Sequence, residues 1–269
     1  MLWEELSAKE FEAAIGASKG VCILPIGVLE KHGDHLPLGT DMYIVTTIAK
    51  EAAGQTSAVV FPYYFLGQIA EARHVKGTLA ATHQLMMDVL LEMCDEIYRN
   101  GFTKILILSG HGGNGHFLPF FAQQFPGLER PYAVYTRFAH DITNEQLTAI
   151  KTHSGENNMG EHAGFSETAL MMYLRPDLVH LDKAKVSESE NLDRLNELQQ
   201  MGIVTGFDWY SKFPYHFAGD PTRATAEYGE FIFDILLANT VGAINAVKAD
   251  KTSLKLIEKF NKSCGPGRE

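Results

Sequence analysis

The chain has 269 residues, 45% hydrophobic and 21% charged, with 24 glycines and 10 prolines, a balance that excludes disorder and collagen-like repeats. Lysine plus arginine number 23 against 33 aspartate plus glutamate, so a net charge of −10 leaves no basic field for nucleic-acid phosphates or an anionic membrane surface. Cys22, Cys94 and Cys264 are scattered and form no CxxC pair, which excludes a disulfide framework. The acidic N-terminus and the want of an uncharged apolar run of about 18 residues predict a soluble, cytoplasmic protein.

In chain order, residues 21–26 are a continuous apolar run read as a strand, and 42–53 have the spacing of an amphipathic helix. Strand 58–61 follows, then helix 83–100, where Leu85, Val89, Leu90, Met93 and Ile97 repeat every three or four residues. Strand 104–108, helix 115–125 and strand 132–138 complete the alternation. Beyond it a short helix is predicted at 167–174, a polar helix at 187–201, a long helix opened by proline at 221–247 and an amphipathic helix at 252–261. Continuous apolar strands separated by helices predict an α/β fold, with a largely parallel sheet covered by helices on both faces. No repeat or linker interrupts the chain, so residues 1–269 are read as one domain.

Chemistry concentrates where strands end. Residues 27–41 follow the first strand and bring Glu30, His32, Asp34, His35 and Asp41 into fifteen residues. Loops at the carboxyl ends of parallel strands are where such sheets place their ligands. The strand 104–108 likewise runs into Ser109-Gly-His-Gly-Gly-Asn-Gly115, offering His111 at a second strand end. A third cluster, Gly160-Glu-His-Ala-Gly-Phe-Ser-Glu-Thr-Ala-Leu170, enters a helix with Glu167 near its start. Imidazoles with carboxylates are the ligand set of zinc, manganese or iron(II), and an aspartate offering one oxygen to each of two ions commonly holds a metal pair.

The segments Gly-x-x-Glu-x-His-Gly-x-His-Leu-Pro-x-x-Thr-Asp (27–41), Gly-His-Gly-Gly-Asn (110–114) and His-Ala-Gly-x-x-Glu-Thr (162–168), in this order, resemble the creatininase (creatinine amidohydrolase) family. With Gly-Asp-Pro-Thr-Arg-Ala-Thr-Ala-Glu-Tyr-Gly at 219–229, the resemblance spans roughly residues 3–245. It implies a creatininase-like fold, a homo-oligomer, often a hexamer, and two divalent ions (Zn, Mn or Fe). Glu30 and His111 would be terminal ligands of one ion, His32 of the other, and Asp41 the bridge. The family's further glutamate, two residues after the second-motif histidine, is Gly113 here, and Glu167 matches the ligand of the branch that reads Gly-His-Gly-Gly-Asn. His162 matches the acid and base. The family's tryptophan that closes over creatinine has no counterpart, because 151–161 hold no aromatic residue, so creatinine is not the expected substrate.

The expected function is therefore metal-dependent hydrolysis of a carbon–nitrogen bond in a small cyclic amide or formamide, through a water activated by two metals. Ring opening of a keto-cyclitol, or metal-dependent binding without catalysis, are the alternatives on this scaffold. A serine hydrolase would need a Gly-x-Ser-x-Gly elbow turning from a strand into a helix, whereas Gly16-Ala-Ser-Lys-Gly20 precedes the first strand; a zinc deaminase would need a CxxC and a P-loop a GxxxxGK[ST], and the chain has neither. His162 is expected near its ordinary pKa of about 6.5. His35 is read as a residue orienting a ligand, the other histidines, His216 and His140 among them, as structural or surface groups, and Tyr63–Phe65 and Phe213–Phe217 as aromatic segments able to line the pocket.

Overall fold

A computed structural model of the chain describes residues 1–157, 159 and 162–265. Four strands, β1 (Val21–Ile26), β2 (Val59–Val60), β3 (Lys104–Ser109) and β4 (Ala133–Phe138), form one parallel sheet in the order β2-β1-β3-β4. The helices are α1 (Ala8–Ala17), α2 (Thr40–Thr56), α3 (His83–Arg99), α4 (Asn114–Gln123) and α5 (Asn144–Ser154). They continue with α6 (Phe165–Leu174), α7 (Asn196–Gln200), α8 (Asp208–Lys212), α9 (Ala226–Ala249) and α10 (Ser253–Ser263).

The expected two-faced burial follows from alternation along each strand. Val21 and Ile23 of β1, with Leu106 and Leu108 of β3, pack into one cluster with α2, α6 and α9. Cys22, Leu24 and Ile26, with Ile105 and Ile107, pack into a second with residues of α1, α3 and α4. Gly229 lets α9 lie directly on α6, since a Cβ there would fall 1.9 Å from the Ala169 carbonyl oxygen. By length and apolarity α9 would suffice to cross a bilayer, but here its Ile232, Phe233, Leu236 and Ile244 belong to the first cluster.

Register positions the site. Ile26 pairs with Ser109 and Ser109 with Phe138, so β1, β3 and β4 end level and the loops that leave them stand side by side.

Two expectations fail locally. The polar helix at 187–201 reduces to a 3-10 turn, Val186–Glu188, and to α7. Between them the Asn191 carboxamide accepts the Asp193 backbone N–H at 3.0 Å, an Asx turn that competes with helix where no apolar stripe favours one. The long helix starts at Ala226 instead of Pro221, because Thr225 caps it by accepting the Tyr228 N–H. The start of the segment 151–161 is the last turn of α5, while Asn158, Gly160 and Glu161 lie outside the described residues.

Candidate metal centre

The loop after β1 closes on itself, Glu30 N–H donating to the Leu38 carbonyl at 3.0 Å, and delivers Asp41 as the second residue of α2. Glu30, His32 and Asp41 are thereby buried together at the end of β1. The level ending of β3 sets His111 against them, and α6 brings Glu167 from the opposite side. All five sequence-predicted ligands meet. Glu30, Asp41 and His111 offer ligand atoms within 4.8 Å of one another, and so do His32, Asp41 and Glu167. Asp41 belongs to both triads: its Oδ1 lies 3.1 Å from His32 Nε2 and its Oδ2 3.1 Å from His111 Nδ1.

Hydrogen bonds away from the centre orient both rings. His111 Nε2–H donates to the Gln68 carbonyl at 2.7 Å, turning Nδ1 toward Glu30 Oε1 at 2.7 Å and Asp41 Oδ2. His32 Nδ1–H donates to the Glu30 carbonyl at 3.2 Å, turning Nε2 toward Asp41 and, at 3.8 Å, Glu167. A backbone carbonyl behind the ring and carboxylates before it is the arrangement of metal-ligating histidines. With His111 neutral, Glu30 Oε1 and Asp41 Oδ2 are buried with no hydrogen-bond donor among the described residues, so the donor set fits divalent cations.

The electrostatics show the same appetite for positive charge. Burial works against protonation of His32, but Asp41, then Glu167 and Glu30, outweigh it and push its pKa up to about 10. His111 is raised well above its ordinary value: burial opposes this, and Glu30 and Asp41 prevail. Burial likewise opposes ionisation of Glu30, yet His111 and His162 hold its carboxyl well below the usual range. Without a cation, protons on the rings neutralise the carboxylates.

His162 stands over this cluster. Its backbone pairs both ways with Ala218, at 3.0 and 2.9 Å, and its ring centroid lies 4.2 Å from that of His32. Nε2 is 2.7 Å from the Lys31 carbonyl, so it carries the proton there. Burial, then repulsion from His32, lowers its pKa to about 4, correcting the expected 6.5: the ring is neutral at physiological pH. It also falls within 4.8 Å of Glu30 and His32 as a possible ligand.

The structure adds two residues that the sequence did not single out as site residues. His216, expected to be structural or on the surface, is 2% exposed and its Nε2–H donates to Glu30 Oε2. Trp209 donates its indole N–H to His216 Nδ1 at 3.0 Å and so fixes that tautomer. His216 sits at φ +53°, a left-handed conformation unfavourable for a residue with a Cβ and typical of functional sites. The available signal was an aromatic-rich stretch three residues before Gly219-Asp-Pro.

Other expectations change. His35 pairs its Nε2 with the hydroxyl of Thr168, the neighbour of Glu167, at 3.0 Å and ties the first loop to α6. Tyr63 and Phe65 are exposed, and the cavity over the cluster is walled instead by Phe138, Trp209 and Glu71. This cavity measures about 280 Å³. Gly113 has no room for a side chain, since a Cβ would lie 2.6 Å from the Gln68 carbonyl oxygen and closer still to His111 Nε2.

A family model described as creatininase, creatinine amidohydrolase, matches residues 4–244. A creatinine amidohydrolase of Pseudomonas putida is 28% identical over 193 residues, 66% of this chain and 74% of its own. A 3-dehydro-scyllo-inosose hydrolase of Thermotoga maritima is 24% identical over 259 residues, 88% and 78% of the two chains. Among solved structures, a manganese form of creatininase superposes with a TM-score of 0.75 at 22% identity, covering 93% of this chain and 99% of that one, and shares the fold.

Proposed function

The chain belongs to the creatininase family of hydrolases, and from that membership we propose that it is a metal-dependent amidohydrolase cleaving a carbon–nitrogen bond of a small cyclic amide or formamide. The shared carboxylate of Asp41 carries the reading: one oxygen faces each histidine, as a bridge between two cations requires. Glu30 and His111 would hold one ion, His32 and Glu167 the other. Two zinc, manganese or iron ions bound there would supply hydroxide at neutral pH and polarise the substrate carbonyl.

The chain's own groups do the rest. His162, its Nε2–H held by the Lys31 carbonyl and its ring stacked near that of His32, stands over the cluster where it would pass a proton to the departing nitrogen. His216, backed by Trp209, stops the Glu30 carboxylate from rotating. The cavity of about 280 Å³ suits a small substrate, and Trp209 offers a flat wall for a planar amide. Creatinine is not the proposed substrate, since no aromatic residue lies in 151–161. A homo-oligomer is part of the proposal: Met201, Val204 and Phe207 are 75%, 83% and 70% exposed, an apolar patch that a further copy would cover.

Similarity to the inosose hydrolase favours ring opening of a cyclic ketone as the second reading. Elemental analysis of protein purified without chelator, followed by turnover assays on lactams, N-formyl amines and cyclic ketones, separates them. About two ions per chain and amide cleavage are expected. Turnover of ketones alone would install the second reading, and at most one ion per chain would remove the dinuclear one.

A further inference from the structure

A second cavity, about 200 Å³, opens from the first across Phe138, His162 and Glu167. Ile142, Leu147 and Ile150, within and just before α5, form one wall, and Ile232 and Leu236 of α9 the other. The walls are fixed relative to each other, because Gln146 and Asn239 hydrogen-bond between the two helices at 2.8 and 3.0 Å. Away from the mouth two polar side chains join the apolar lining: Ser166, whose hydroxyl donates to the Met159 carbonyl at 3.2 Å, and His140, two residues beyond the end of β4. Both ring nitrogens of His140 are shut off from solvent, and neither has a hydrogen-bond partner among the described residues. Its ring lies against Phe138, centroids 5.0 Å apart.

A buried imidazole without a protein partner is a net cost to the fold, and a ligand that completes it is one reason to keep it. Its apolar neighbours ask for hydrocarbon, and its two nitrogens ask for a donor and an acceptor. We propose that this cavity is the specificity pocket of the enzyme, taking a branched apolar group of the amide substrate while His140 hydrogen-bonds to a polar group beside it. The substrate class is thereby narrowed to small amides bearing both features. The inference rests on the amidohydrolase reading for its substrate, but the pocket itself can be tested without turnover.

N-formyl-L-leucinamide and N-formylglycinamide are the probes: both carry a scissile formyl bond and a carboxamide, and they differ by one isobutyl group. With metal-loaded enzyme, kcat/KM is expected at least about tenfold higher for the leucine probe, a factor set by the burial of its isobutyl group. His140→Phe keeps an aromatic ring but removes both nitrogens, leaves metal content unchanged and raises KM for the leucine probe about tenfold with little change in kcat. Leu147→Trp fills the cavity and abolishes the preference. Equal kcat/KM for the two probes, or a preference untouched by both variants, overturns the proposal. If neither probe is cleaved, the amidohydrolase reading fails on these substrates, and the pocket is judged by binding alone. The ring-nitrogen NMR signals of His140 are then followed while N-formyl-L-leucinamide is added. A saturable shift that Leu147→Trp removes supports the pocket, and an unmoved signal overturns it.

Discussion

Replacing Gly113 by alanine tests how tightly the metal centre depends on the shell behind it. The backbone there has φ −60°, so alanine meets no conformational penalty and only space is at issue. The new methyl would stand 2.6 Å from the Gln68 carbonyl oxygen, a backbone atom, on the line along which His111 Nε2 donates its hydrogen bond. Either the 67–71 segment moves away or the His111 ring turns, and in both cases the bond is lost. Overpacking costs about 1 to 3 kcal/mol and a lost hydrogen bond about 1 kcal/mol. At roughly 2 to 4 °C per kcal/mol for a chain of this size, the melting temperature should fall on the order of 5 to 10 °C. Because His111 loses the bond that aims Nδ1, metal affinity should fall about 10- to 100-fold. Competition with a chelating dye measures the second effect and calorimetry of the metal-free protein the first. Gly112→Ala is the control, since its Cβ would meet nothing within 4 Å. Wild-type affinity and melting temperature in Gly113→Ala would refute the argument that the Gln68 carbonyl aims His111.

Asp41→Ala should bring bound metal close to zero, whereas His32→Ala should leave about one ion, as read by elemental analysis; equal losses would deny Asp41 its bridging place. His162→Ala should keep both ions and lower kcat by about 10² to 10⁴, while a fall in metal stoichiometry would make it a ligand instead. In the metal-free protein, His32 titrates near pH 10 against an ordinary 6.5, so its protonated form contributes stability in full below about pH 6.5 and loses it as pH rises through 10. The melting temperature of the chelated protein should therefore decline between pH 7 and 10. Cation binding near pH 8 should release protons in calorimetry across buffers of different ionisation enthalpy, and no release would mean that the rings are not displaced.

What sequence alone could reveal was set by how local each feature is. Glu30, His32 and Asp41 lie within fifteen residues of a strand end, and α/β topology dictates where such loops go, so their meeting with His111 was legible. His216 reaches Glu30 across 186 residues, through a bridge between His162 and Ala218 that no periodicity announces. The lowered pKa of His162 was equally hidden, because burial and the neighbouring His32 produce it and both belong to the folded state. Helix α1 left a signal that went unread: Ser7 and Glu10 form a capping box, with the serine accepting the Glu10 N–H and the glutamate accepting the Ser7 N–H. The polar helix expected at 187–201 shows the converse error, a helical composition with no face to bury.

The level ends of β1, β3 and β4 divide labour among neighbouring strands. Candidate metal ligands hang from β1, β3 and α6, whereas Phe138 and the segment carrying His140 leave β4, beside them yet outside the ligand set. The loop between β4 and α5 can thus be rewritten without replacing a candidate ligand. A fold arranged this way can change what it cleaves while conserving how it cleaves, and grafting the stretch that follows β4 from a relative of different substrate is the engineering route that it opens.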